Sequence, residues 1–165
     1  MKTKKLAELA LLTAVALIIF IIELRIPNIL PIPGVKLGLA NIITVYAVYK
    51  FSAKETLMIV ATRVILGSLF SSNFSVIIYS LSGAIMCLVG MLLVKRVIPL
   101  KYIWLCSIIG AVFHNTGQMI TAVIMMRSFA VIAYYPPLII SGCIAGLFTG
   151  LCAGFVLKRL PQSFK

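Results

Sequence analysis

Apolar residues fall in six long blocks divided by short polar or proline-bearing stretches. The blocks run from about Leu6 to Ile26, Val35 to Phe51, Ala53 to Leu69, Phe74 to Val94, Tyr102 to Met126 and Val131 to Leu157. A helix needs roughly 17–25 residues to cross the hydrocarbon core of a bilayer. Each block therefore predicts a membrane span, the second and third being at the short end and open to a partly re-entrant reading. The dividers agree. Residues 27–34, Pro-Asn-Ile-Leu-Pro-Ile-Pro-Gly, read as a loop. Ser71-Ser72-Asn73 separates the third and fourth blocks, and Pro99 the fourth and fifth. Pro136-Pro137 sits near the start of the sixth, where a missing N–H costs little.

Composition narrows the class. The chain has 165 residues, of which 62% are hydrophobic and only 11% charged, whereas soluble domains carry about a quarter charged residues. The expectation is an all-α integral membrane protein, a six-transmembrane-helix bundle forming one transmembrane domain over residues 1–165. The Lys-rich start followed by Leu6 to Ile22 looks like a signal peptide at first. The run is too long for the apolar part of one, and no small-residue cleavage site follows, so it reads as a retained first helix.

The net charge of +12 raises nucleic acid as a partner, but the cations sit in short clusters at the ends of apolar runs rather than on one polar face. They mark topology instead. With six spans, one side holds Lys2, Lys4, Lys5, Lys50, Lys54, Lys95, Arg96, Lys101, Lys158, Arg159 and Lys165. The other holds Arg25, Lys36 and Arg127. The positive-inside bias then predicts both termini in the cytoplasm, with Tyr134 and Tyr135 at the outer interface.

Some polar residues are left inside the apolar blocks. His114, the only histidine, lies in Gly110-Ala-Val-Phe-His-Asn-Thr-Gly-Gln118 near the middle of the fifth block. His114 and Gln118 are i and i+4 and share a helix face, while Asn115 points to an adjacent one. Arg63 is about 10 residues into the third block, roughly 15 Å at 1.5 Å per residue, a depth comparable to that of His114. Polar groups at such depth must face protein or a cavity, and ionisable ones are functional suspects by default. Two readings stand for Arg63: it pins the bundle by pairing with Glu23 or helix carbonyls, or it faces an anionic or strongly polar ligand. His114 is likewise a ligand contact, a proton relay or a plain hydrogen-bonding residue.

Small residues mark packing faces. Gly142, Gly146, Gly150 and Gly154 recur every fourth residue and form a flat ridge for close helix approach, within the chain or against another subunit. Ala7, Ala10 and Ala14 make a smaller strip on the first helix.

Enzyme chemistry is not readable. The chain has no Asp and only three Glu, so no Asp-rich magnesium–diphosphate site is possible. There is no P-loop and no nucleophile triad. Cys87, Cys106, Cys143 and Cys152 form no C-x-x-C pair and read as small buried hydrophobes, which argues against a metal site. No catalytic residue, metal or cofactor is expected.

Three stretches go further: Ile32-Pro-Gly-Val-Lys-Leu-Gly-Leu-Ala-Asn41, His114-Asn-Thr-Gly-Gln118 and Tyr134-Tyr-Pro136. With them nearly the whole chain resembles the Gx transporter family, often labelled heptaprenyl diphosphate synthase component I. That family is similar to the substrate-binding S components of energy-coupling factor (ECF) transporters. The resemblance implies a six-helix subunit in a prokaryotic plasma membrane. Its partners would be an ECF transmembrane subunit and two ATPases, with no role for nucleic acid. It places Ala7, Ala10 and Ala14 on the coupling face, and Lys36 and Asn41 at the mouth of an outward-facing site lined by Arg63, His114, Asn115 and Gln118. The ligand would be a small polar or anionic metabolite. The alternative is a membrane subunit binding an isoprenoid, quinone or prenyl diphosphate in a redox or prenyl-synthesis complex.

Overall fold

The computed structural model describes residues 3–25, 38–70 and 75–159. Lys36 lies outside them. Six α-helices follow in order: α1 Thr3–Arg25, α2 Asn41–Lys50, α3 Ala53–Leu69, α4 Ser75–Val94, α5 Ile103–Met126 and α6 Tyr135–Arg159. Among the described residues there is no strand.

The ends of these helices are set by local chemistry. At α3, Ser52 and Glu55 form a reciprocal cap: Glu55 N donates to Ser52 Oγ at 3.4 Å, and Ser52 N donates to Glu55 Oε2 at 3.0 Å. Arg127 adopts φ 48° and ends α5. The sixth apolar block does not become helical at Val131 as expected. Phe129–Tyr134 winds as a 3-10 helix, and α6 starts only at Tyr135. Pro136 and Pro137 then occupy the first turn, where an absent N–H leaves no intrahelical bond unmade.

Four helices are long and apolar enough to cross a membrane: α1, α4, α5 and α6. The six-span expectation is therefore met only in this coarser form. The second block shows why. Its helix is 10 residues long, about 15 Å at 1.5 Å per residue, half of a ~30 Å hydrocarbon core. It is also buried all round: Val45, Ala47 and Val48 have no exposed surface. α2 touches each of the other five helices and acts as the central strut.

The lysine-rich ends gather at one pole. Leu9, Phe51, Ile103 and Leu157, from the ends of four different helices, share one apolar cluster. At the same pole Lys5 pairs with Glu55 at 2.6 Å, and Lys50 bonds to Glu8 and, at 2.7 Å, to the Tyr46 hydroxyl. Neighbouring helices thus alternate in direction.

Glycines bring α4, α5 and α6 together. A Cβ on Gly146 would lie 2.8 Å from Ile108 Cα, and one on Gly150 2.6 Å from Trp104 Cα. These are backbone atoms and cannot give way, so the ridge of α6 docks directly on α5. On the α4 side, a Cβ on Gly117 would lie 2.8 Å from the Ser82 carbonyl oxygen.

Candidate functional site

α1 presents Leu9, Ala16, Phe20 and Glu23 to the protein, while Leu11, Ile18 and Ile22 are exposed. The buried spacings of seven, four and three residues trace one helical stripe. It ends in a carboxylate that is only 5% exposed. Across from it α3 buries Arg63, also 5% exposed. Both line one small, partly open cavity, together with Phe20 and Val64. From the start of α2 come Gly38, Ala40 and Asn41; from α4 comes Ser80; from α5 come His114 and Gln118. The cavity measures about 30 Å³, enough for roughly two water molecules.

Each wall has a local cause. Gly38 takes φ 73°, a left-handed conformation that favours glycine. Its N–H donates to Glu23, which ties the start of α2 to the end of α1. Its carbonyl accepts the Asn41 N–H at 2.9 Å and starts α2, bringing Asn41 to the cavity. On α4 the decisive residue is Gly83. A Cβ there would lie 2.9 Å from His114 Cε1 and 3.0 Å from Gln118 Cγ. The missing side chain makes room for both α5 residues to lie across α4.

Arg63 is the electrostatic centre. Its charge is coupled to Glu23, and its Nε has no hydrogen-bond partner among the described residues. A guanidinium in a low-dielectric site with an unused donor is costly unless something supplies an acceptor.

Of the sequence-predicted site residues, Arg63, His114, Gln118 and Asn41 come together around this cavity. Asn115 is placed elsewhere. Its side-chain amide donates to the Leu138 carbonyl at 2.7 Å, packed over Gly142, so it ties α5 to α6. Ala7, Ala10 and Ala14 are exposed on α1, away from the cavity. Gly142, Gly146 and Gly150 are buried against α5, and Gly154 lies over Ile103. Sequence reasoning missed Phe20, Ser80 and Gly83 as parts of the site. Gly83 had a usable signal: a glycine inside a strongly apolar helix often marks a close approach.

A second, larger hollow lies on the outside of the bundle. It measures about 400 Å³ and is lined by Thr116, Met119, Ile120, Val123, Ile124, Ile132 and Tyr135. The Thr116 and Tyr135 hydroxyls, 2.7 Å apart, form its only polar pair among these residues. Ile120 and Ile124 are 49% and 68% exposed, as lipid-facing side chains would be.

Four long apolar helices, with polar side chains packed between the helices of the bundle, define a helical membrane protein. The sequence model of the family described as heptaprenyl diphosphate synthase component I matches residues 12–156. The chain belongs to that family. No match was found among curated proteins or among solved structures.

Proposed function

We propose that this protein is a non-enzymatic, substrate-binding subunit of an ECF-type importer in the plasma membrane of a prokaryote. In this reading both termini lie in the cytoplasm, and the short α2 packs inside the bundle rather than spanning the membrane by itself. A small polar or charged metabolite enters from outside and is held by Arg63, Asn41, His114 and Gln118. Energy comes from a transmembrane partner and its two ATPases, docked on α1.

The observation that carries the reading is the buried Arg63, facing a small cavity lined by polar side chains with an Nε donor that no described residue accepts from. A helix-pinning arginine would be expected to spend all its donors on carbonyls or carboxylates. The exposed Ala7, Ala10 and Ala14 strip supports the docking part, because small residues on a lipid-facing helix allow close approach by a partner helix.

The test is native mass spectrometry of gently purified protein, with co-purifying subunits identified. A bound water-soluble metabolite together with two ATPases is the expected result. A prenyl lipid or quinone as the bound species, with no ATPase, would replace this reading by one in which the outer apolar groove is the site.

A further inference from the structure

The larger hollow on the outside of the bundle has a hydrogen-bond polarity that two distances fix. Thr116 Oγ1 lies 2.7 Å from the Val112 carbonyl oxygen and 2.7 Å from the Tyr135 hydroxyl oxygen. Oxygens that close need a hydrogen between them. A carbonyl has none to give, so the single hydroxyl hydrogen of Thr116 goes to Val112. The hydrogen between Thr116 and Tyr135 is then the one on Tyr135. Both hydrogens are spent inside the protein. What the pair still offers to the hollow is oxygen lone pairs, an acceptor without a donor.

The surroundings make that acceptor matter. At roughly 1.5 Å per residue, Thr116 lies about 15 Å from the end of α5 at Met126, which is hydrocarbon depth in a spanning helix. Ile120 and Ile124 are 49% and 68% exposed and open the hollow sideways to lipid tails. Apart from the two hydroxyls its walls are aliphatic or thioether. A molecule that fills it comes out of the bilayer, where no water competes for a hydrogen bond. At about 30 Å³ for a group the size of a water molecule, the space of about 400 Å³ holds roughly a dozen non-hydrogen atoms.

We infer that this hollow binds a long-chain alcohol, an apolar chain of that size whose hydroxyl donates to the Tyr135–Thr116 pair. A ketone, ester or quinone has only acceptors. To bond one, Tyr135 must turn its hydrogen from Thr116 to the ligand, and Thr116 must turn its own from Val112 to Tyr135. The complex then keeps one hydrogen bond fewer than the alcohol complex, a difference of roughly two- to tenfold in affinity. This inference is independent of the ligand proposed for the Arg63 cavity.

The experiment uses the full chain in nanodiscs of saturated phosphatidylcholine, a lipid without a hydrogen-bond donor. The probes are 1-dodecanol, 2-dodecanone and methyl undecyl ether, equal in heavy atoms and added at rising mole fraction. The unfolding midpoint, followed by the fluorescence of Trp104, the only tryptophan, gives the apparent affinity of each. Dodecanol is expected to saturate the wild type at a roughly two- to tenfold lower mole fraction than the other two. Thr116→Val frees the Tyr135 hydrogen, so it should raise the ketone to the affinity of the alcohol and leave the alcohol unchanged. The Thr116→Val/Tyr135→Phe double variant has no hydroxyl left and should bind all three alike. Ile120→Trp fills the hollow and should abolish saturable binding, which places the site.

Equal affinities in the wild type, or a preference for the alcohol that survives the double variant, would overturn the inference. So would a ketone that gains nothing from Thr116→Val, saturation that persists in Ile120→Trp, or no saturable binding by any probe. Each of these outcomes leaves the importer reading standing.

Discussion

The two halves of the molecule are held by different means. α4, α5 and α6 are joined backbone to backbone: glycines on all three helices sit where a Cβ would strike a neighbour, at 2.6–2.8 Å from main-chain atoms for Gly117, Gly146 and Gly150. α1, α2 and α3 are joined mostly by side chains. Phe20 fills the space over Gly67, Lys5 and Lys50 reach Glu55 and Glu8 at the lysine-rich pole, and Glu23 and Arg63 face one cavity near the other. Backbone contact has no conformational slack, whereas ion pairs and aromatic fillers can be remade in a second geometry. The difference teaches where the protein can move. The polar site lies between a rigid half, which supplies Ser80, His114 and Gln118, and an adaptable half, which supplies Glu23, Arg63 and Asn41.

The largest expected effect comes from breaking the buried charges of the adaptable half. Arg63→Met leaves Glu23 buried beside an apolar neighbour and should cost about 3–5 kcal/mol of stability. The Arg63→Met/Glu23→Gln double variant should recover most of that loss, read as the coupling term of a double-mutant cycle by thermal unfolding in detergent. Additive losses would mean that the two charges do not depend on each other.

The rigid half predicts a sharper geometric contrast. Gly150→Ala pushes a methyl against Trp104 Cα and should cost about 1–3 kcal/mol by overpacking. Gly154→Ala meets a single side-chain atom, Ile103 Cγ2 at 2.9 Å, and no backbone atom, so it should cost less. Equal losses at both positions would argue that helix propensity rather than backbone contact sets the cost.

At the lysine-rich pole, Lys50→Met removes the bond to Glu8 and the 2.7 Å contact with the Tyr46 hydroxyl. This partly exposed pair should be worth only about 1 kcal/mol. The unfolding midpoint of the wild type should approach that of the variant as salt rises to about 1 M, where the screening length falls to about 3 Å. A salt-independent gap would point to packing by the lysine stem instead.

The smallest effect on stability is expected from Ala14→Trp, because Ala14 is exposed on α1. The unfolding midpoint should stay within about 1 °C of wild type, an effect well under 1 kcal/mol, while the proposed docking of a transmembrane partner should be lost. Normal transport by this variant would defeat the docking role of the strip.

Part of this was legible in the chain. Long apolar blocks give long helices because no water is available in a bilayer to satisfy an open backbone, so α1, α4, α5 and α6 follow from hydropathy and length alone. The four-residue glycine repeat of α6 announces a close helix contact, although the partner, α5, has no sequence signature. Arg63, His114 and Gln118 stood out as polar groups at depth. Asn115 stood out equally, yet its one-residue shift around α5 turns it to the α6 side, where the Leu138 carbonyl takes it up. A difference of about 100° in helix rotation separates the two fates. Hydropathy also could not tell that the second block yields a 10-residue helix enclosed by the others, because a buried strut and a short span have the same apolar composition.

What the sequence by itself determined is therefore the solvent: a chain this apolar, with its cations at the ends of the runs, belongs in a membrane, because the hydrophobic effect depends on composition and spacing alone. What only the tertiary structure decided is which polar groups meet. Glu23 and Arg63, 40 positions apart in the chain, share a cavity because Gly38 turns the backbone to bond Glu23 and Phe20 seats α1 over Gly67. His114 and Gln118 reach that cavity because Gly83 leaves them the space. Such meetings depend on the rotation and separation of whole helices, which are set by packing among all six at once.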